Sequence, residues 1–395
     1  MDDSNSETIC RTDGPWVKTS RRWFDLQSVE IWIHFPDARS AEYLVAGIPA
    51  AARVIHAVVR ATGRKPSMCS VASGEWQVSR KCLDESMRLA QCAPYDQLPQ
   101  GTSAADVLTL DGLHLLTSIA RDPNSWAWAN PSQLAKFEWT DSAPSFDANK
   151  RKMLLREANR SFLKATAKDE DGLVSRYLNR PVSRLISSLL LKLPAVRPLH
   201  ATAGTAFLAV MMLAALILGG QVGAIAGALL FHAASVFDGV DGEIARATHR
   251  TSPAGARLDS LIDAATNLAF LGGLSFNLFS RGQGEAALAG LVGILVLLVG
   301  LWQIGSRSQA LGQPINFEAV KVYLRQVRPN SLLTDLLIWL TMRDFIAAAC
   351  ATLVVLGFAA QTLIVFMAGA IVWLIFASVI LARTSIRAKR SQLTR

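Results

Sequence analysis

The chain has 395 residues, 51% of them hydrophobic, with a formal net charge of +9 and a mean hydropathy of +0.28. That length accommodates two domains. Its five cysteines form no Cys-x-x-Cys pair, which argues against a disulfide framework or a zinc site.

In chain order, residues 1–25 read as a loose, polar N-terminus without the basic and apolar regions of a signal peptide. "VEIWIHF" (Val29–Phe35) alternates as a strand does, and "SAEYLVAGIPAAARVIHAVVRATG" (Ser40–Gly63) has helical spacing with a glycine stop. "ADVLTLDG" (Ala105–Gly112) predicts a second strand and "LHLLTSIAR" (Leu113–Arg121) a second helix. Strands alternating with helices predict a small cytoplasmic α/β domain over residues 26–145. Residues 146–200 form a helical connector. Within it, Gly172–Pro194 reads as an amphipathic helix in the membrane interface, the alternative being a plain linker helix.

From residue 201 the composition changes. Ala201–Gly220, Gln221–Phe237, Ala264–Ser280, Ala286–Ser306 and Phe345–Ala382 carry no charge. A hydrocarbon core of ~30 Å needs ~20 helical residues, so the last run is long enough for two spans, with a break near Gly357–Gln361. Six transmembrane helices are expected in the domain 201–382: roughly 201–220, 222–246, 255–279, 285–306, 343–359 and 362–382. Residues 383–395 form a basic tail.

The cations sit beside alternate ends of these spans. Arg176, Arg180, Arg184, Lys192 and Arg197 precede the first, and Arg246 and Arg250 separate the second from the third. Arg307, Lys321, Arg325 and Arg328 separate the fourth from the fifth, and Arg383, Arg387, Lys389 and Arg390 follow the sixth. Of the other three loops, one has Arg281 and the rest have no cation. This positive-inside pattern puts both termini on the cytoplasmic side of a membrane, read as a bacterial inner membrane, and removes nucleic acid from the expected partners.

Against that apolar background stands "DGVDGEIAR" (Asp238–Arg246), followed by "GARLDSLID" (Gly255–Asp263). Charge inside a bilayer is costly and marks function. Asp238, Asp241 and Ala245 fall on one helix face, and Gly255, Asp259 and Asp263 on one face of the next. The short connector with Pro253 makes the two helices antiparallel neighbours. Four carboxylates with small residues beside them suit a hard cation, Mg²⁺ or Mn²⁺, shared with substrate phosphates. Two ions about 4 Å apart also fit such a set.

The stretch "DGVDGEIARATHRTSPAGARLDSLID" resembles the signature D-x2-D-G-x2-A-R-x8-G-x3-D-x3-D of the CDP-alcohol phosphatidyltransferase family, with every fixed position present. The resemblance implies a six-helix membrane fold and a homodimer. Asp238, Asp241 and Asp259 would bind metal, with Asp263 sharing in the site and acting as general base. Asp238, Gly242, Ala245, Arg246 and Gly255 would accommodate the cytidine nucleotide. An acceptor hydroxyl would attack a CDP-alcohol and release CMP, in phospholipid biosynthesis. Arg325, Arg328 and Arg343 are candidate phosphate contacts, although positive-inside charge explains them as well.

The front domain is similar to the nucleotidyltransferase-like domains fused to some members, as in fused inositol-phosphate cytidylyltransferase proteins. "PDARSAEYL" follows the first strand where a glycine-rich phosphate loop is expected, so the domain reads as degenerate. The alternatives are a bifunctional enzyme that makes its own CDP-polyol, an ion-coupled transporter, and a membrane scaffold.

Overall fold

A computed structural model of the chain describes residues 16–19, 22–25, 30–72, 74–94, 107–122, 135–139, 147–167, 172–193, 195–310 and 342–393. They divide into two compact units. The first holds Met1–Thr166, Ser188–Val196 and Arg246–His249, and the second Ala167–Ser187, Arg197–Ala245 and Arg250–Arg395.

The first unit contains a parallel sheet. β1 (Trp16–Thr19) and β2 (Arg22–Asp25) form an antiparallel pair. β3 (Glu30–Phe35) buries Ile31, Ile33 and Phe35 on alternate positions, as its period-two pattern requires. It pairs in parallel with β6 (Met68–Val71) on one side and β7 (Val107–Asp111) on the other. α3 (Arg80–Ala90) starts at Ser79, whose Oγ accepts from the Cys82 amide at 3.1 Å. α4 (Gly112–Arg121) is capped by Asp111, which accepts from the amides of Leu113 and His114 at 2.9 Å. α5 spans Ala148–Lys164. Neither β6 nor α3 was expected from the sequence, because their apolar residues are few and interrupted.

The helix expected from Ser40 to Gly63 is broken. α1 (Ala38–Glu42) ends early, β4 (Leu44–Val45) and β5 (Ile48–Pro49) form a tight hairpin, and α2 (Ala50–Thr62) follows. Ala46 and Gly47 turn the chain at φ 45° and 83°, and Pro49 has no amide hydrogen to continue a helix from α1. α2 stops at Gly63 (φ 71°), whose amide donates to the Val59 carbonyl. Arg53 in α2 is 5% exposed. Its Nε donates to the Val45 carbonyl at 2.7 Å, and its Nη2 to Ala46 and Ala247 at 3.0 and 2.6 Å. The guanidinium lies 4.4 Å from the Phe162 ring centroid. A buried cation is thereby paid for by carbonyl dipoles and an aromatic face.

The second unit is helical. A π-helical turn (Ser175–Asn179) leads into α6 (Arg180–Leu190), with the Arg180 amide donating back to the Ser175 carbonyl. Then come α7 (Pro198–Leu218), α8 (Gly220–Ala247), α9 (Pro253–Ser280), α10 (Gly284–Ala310), α11 (Arg343–Val355) and α12 (Ala359–Leu393). Each of the six expected segments coincides with one of α7 to α12. The break expected near Gly357 is present, with Gly357 at φ 91°. Helix α12 continues through the residues read as a tail. Among the described residues, α7, α8 and α9 are long and apolar enough to cross a membrane, while the later helices hold shorter apolar segments, Gly284–Gly300, Asp344–Val355 and Ala359–Ile375.

The core of this unit gathers Met212, Leu216, Phe231, Phe270, Leu274, Leu278 and Leu363. Phe231 and Phe270 stack at 4.1 Å between centroids. Asn277 Nδ2 donates to the carbonyls of Leu216 and Gly220 at 2.8 and 2.7 Å, satisfying backbone oxygens where α7 turns into α8. The described cysteines, Cys69, Cys82, Cys92 and Cys350, are buried free thiols.

Candidate active site

The site is built where α8 ends and α9 begins. Ser252 starts α9 by accepting from the Gly255 amide at 3.0 Å, and Pro253 occupies the first turn, where its missing amide hydrogen costs nothing. The helix therefore begins early enough to carry Gly255, Asp259 and Asp263 on one face.

Asp238 of α8 and Asp259 and Asp263 of α9 each offer a carboxylate oxygen within 4.8 Å of the others, and all three side chains are half-buried. Asp241 lies deeper, 7% exposed, and accepts from Thr202 Oγ1 of α7 at 2.7 Å. Asp259 faces both Asp238 and Asp241. The four aspartates of the motif are thus brought together, three as a cluster and the fourth held beside it by a hydroxyl. Like charges this close repel strongly, and a cation among them relieves the repulsion. An oxygen-only donor set fits a hard divalent ion.

Thr202 was not anticipated. The available signal was a hydroxyl residue in the first turns of an apolar helix, which spacing alone does not distinguish from a back-bonded threonine. Gly242 and Ala245 are half-buried on the motif helix. Gly255 is exposed, and a Cβ there would meet only Ser252 Oγ, at 3.0 Å, among the described residues. Arg246, expected at the nucleotide, donates from Nε to the Thr166 carbonyl at 2.7 Å. Arg325 and Arg328 lie outside the described residues. Arg343 begins α11, and its side chain also lies outside them. Ser235, one turn before Asp238, donates to Asp344 in the first turn of α11 at 3.0 Å.

The back of α8 carries a second carboxylate site. Glu243 is fully buried. Its Oε1 accepts from Arg180 Nη1 at 3.0 Å and Ser183 Oγ at 2.7 Å, and its Oε2 from Ser187 Oγ at 2.6 Å. All three donors come from α6.

Residues 197–320 match the CDP-alcohol phosphatidyltransferase family. The chain is also similar to proteins named "Bifunctional IPC transferase and DIPP synthase". The one from Thermococcus kodakarensis is 36% identical over 143 residues, covering 35% of this chain and 29% of the relative. The one from Aquifex aeolicus is 40% identical over 108 residues, 27% of this chain and 24% of the relative. The one from Archaeoglobus fulgidus is 34% identical over 122 residues, 30% and 23%. The matched region thus spans less than a third of each of these relatives. The motif-bearing helices lie wholly inside the family match, and the chain carries a domain of the CDP-alcohol phosphatidyltransferase family at residues 197–320.

Proposed function

We propose that this protein transfers a phosphoalcohol group from a CDP-alcohol to an acceptor hydroxyl and releases CMP, with Mg²⁺ as cofactor. The observation that carries this reading is the convergence of Asp238, Asp259 and Asp263 within 4.8 Å, inside the family-matched segment. Asp238, Asp241 and Asp259 hold the metal, one ion or two, and Asp263 shares in the site. A bound divalent ion supplies charge neutralisation for the pyrophosphate and the departing CMP.

The residues do the rest. Asp263 takes the proton of the acceptor hydroxyl as its oxygen bonds to the β-phosphorus, and the bond from that phosphorus to the bridging oxygen breaks. Thr202 fixes the Asp241 carboxylate so that it need not reorient on binding. Gly242, Ala245 and Gly255 leave space for the nucleotide to approach the backbone, and Arg246 closes the motif at the end of α8.

The apolar segments of α10, α11 and α12 extend the three longer helices to six spans, with site and termini on the cytoplasmic face and a homodimer as the working form. α6 exposes Val182, Leu185 and Leu189 on the side away from its serines, which suits a helix lying in the interface. The first unit is read as non-catalytic, since β3 runs into Pro36 and Asp37 without a glycine-rich phosphate loop. A second reading rests on the relatives' printed names, which call them bifunctional: the first unit would then make the CDP-polyol donor.

Purified protein in nanodiscs, given Mg²⁺ and a panel of CDP-alcohols and acceptors, is expected to release CMP in step with a phosphodiester product identified by mass. No CMP from any pair would overturn the reading. CMP formed from CTP and a sugar phosphate, without added CDP-alcohol, would establish the bifunctional form.

A further inference from the structure

We infer that Glu243 is a positioning residue for the aspartate site, acting through the rotation of α8 about its own axis. The inference rests on the proposed metal site and concerns the opposite side of the helix that carries it. At 100° per residue, Glu243 lies roughly 140° around α8 from Asp238 and roughly 160° from Asp241. It does not point at the cluster, so it is not a ligand of the proposed metal.

Its environment is closed. The side chain has no exposure and both oxygens receive donors, all from α6. Arg180, Ser183 and Ser187 are spaced i, i+3 and i+7, one stripe of that helix. Contact between the two helices is close at Gly239, one turn before Glu243. A Cβ there would stand 3.3 Å from Arg180 Nη1 and 3.4 Å from Ser183 Oγ, tighter than ordinary contact for the first. Helix α6 is inverted relative to a soluble amphipathic helix: its polar stripe is buried, while Val182, Leu185 and Leu189 are 46%, 61% and 54% exposed.

This arrangement sets one degree of freedom. Apolar faces of membrane helices slide and rotate against each other at low cost, because van der Waals contacts are interchangeable. Three directional bonds to one carboxylate are not interchangeable. They fix the angle of α8, and with it the direction in which Asp238 and Asp241 meet Asp259 and Asp263. A small rotation there moves the donor oxygens apart and weakens their joint hold on a cation more than it weakens the fold.

The test uses full-length protein in nanodiscs and Mn²⁺ alone as the probe, followed by electron paramagnetic resonance, with metal-activated CMP release as a second reading. Glu243→Gln keeps the size of the side chain. The double variant Ser183→Ala/Ser187→Ala keeps the ion pair with Arg180 and is the safer fold. Both are expected to weaken Mn²⁺ binding about tenfold, the size seen when groups behind metal ligands are removed. The metal concentration for half-maximal activity should rise in parallel, with turnover at saturating metal within about threefold of the parent, as for lost binding rather than lost chemistry. Variants that melt earlier but bind Mn²⁺ as tightly as the parent would overturn the inference and leave the metal site standing. A parent protein that fails to bind Mn²⁺, or an Asp259→Asn variant that binds it unchanged, would sink the metal site and this inference with it.

Discussion

The two sides of α8 handle buried charge in opposite ways. On the back, Glu243 is saturated by Arg180, Ser183 and Ser187. On the front, Asp238, Asp259 and Asp263 crowd one another within 4.8 Å, and Asp241 stands beside them on Thr202. A carboxylate whose lone pairs are filled by protein donors is part of the framework. Carboxylates turned toward one another raise the energy of the empty site and lower it when a cation enters. The contrast within one helix separates structural from ligand-binding acid groups more cleanly than burial does.

The sharpest break of that contrast is Asp263→Asn. Turnover should fall by roughly 10²–10⁴-fold, the range for loss of a general base, while the protein still inserts and elutes as the parent does. Normal turnover in that variant would remove Asp263 from the chemistry. Next in size is Arg180→Met, which leaves Glu243 buried without its cation. It should destabilise by roughly 3–5 kcal/mol, whereas Arg180→Met combined with Glu243→Met should recover most of that loss, as measured by denaturation in detergent. Equal losses in the single and double variants would show that the pair does not act as a unit.

The front should respond to metal. Mg²⁺ at about a hundred times its dissociation constant should stabilise the parent by about 2.7 kcal/mol over a chelated sample, and Asp259→Asn should lose most of that gain while being more stable than the parent when chelated. Thr202→Val should cost about 1 kcal/mol through the lost hydrogen bond and raise the metal requirement.

The smallest expected effect applies the same rule with the sign reversed. In the first unit, His56 is pushed down to about 4 by burial and then by the charges of Arg60, Arg53 and Arg88. An unfolded histidine takes up its proton near 6.5. Between about pH 6.5 and 4 the unfolded chain therefore binds a proton that the folded unit refuses, and stability falls as pH is lowered across that window. Above it the group has no effect. His56→Gln should flatten the slope.

The front of α8 was legible in the sequence because ligand chemistry fixes residue type at fixed spacing, and the helices that carry it are long and uninterrupted. Its back was not. Glu243 occupies a variable position of the motif, and its partners lie some sixty residues away in a helix whose apolar stripe dominates the pattern. The hairpin inside the expected Ser40–Gly63 helix was hidden for a related reason. Leu44, Val45, Ile48 and the alanines after Pro49 preserve helical spacing across a turn set by Ala46 and Gly47. Arg53 could not be read as a hub, because its acceptors are backbone carbonyls that leave no mark in composition.

The wide turn at Ser175–Asn179 bears on all of this through phase. An inserted residue in a helix swings everything after it by about 100°. Removing one residue from that turn would restore ordinary winding and bring the leucine side of the following helix around toward Gly239, with no side chain chemically altered. In this segment, the number of residues matters more than their identity.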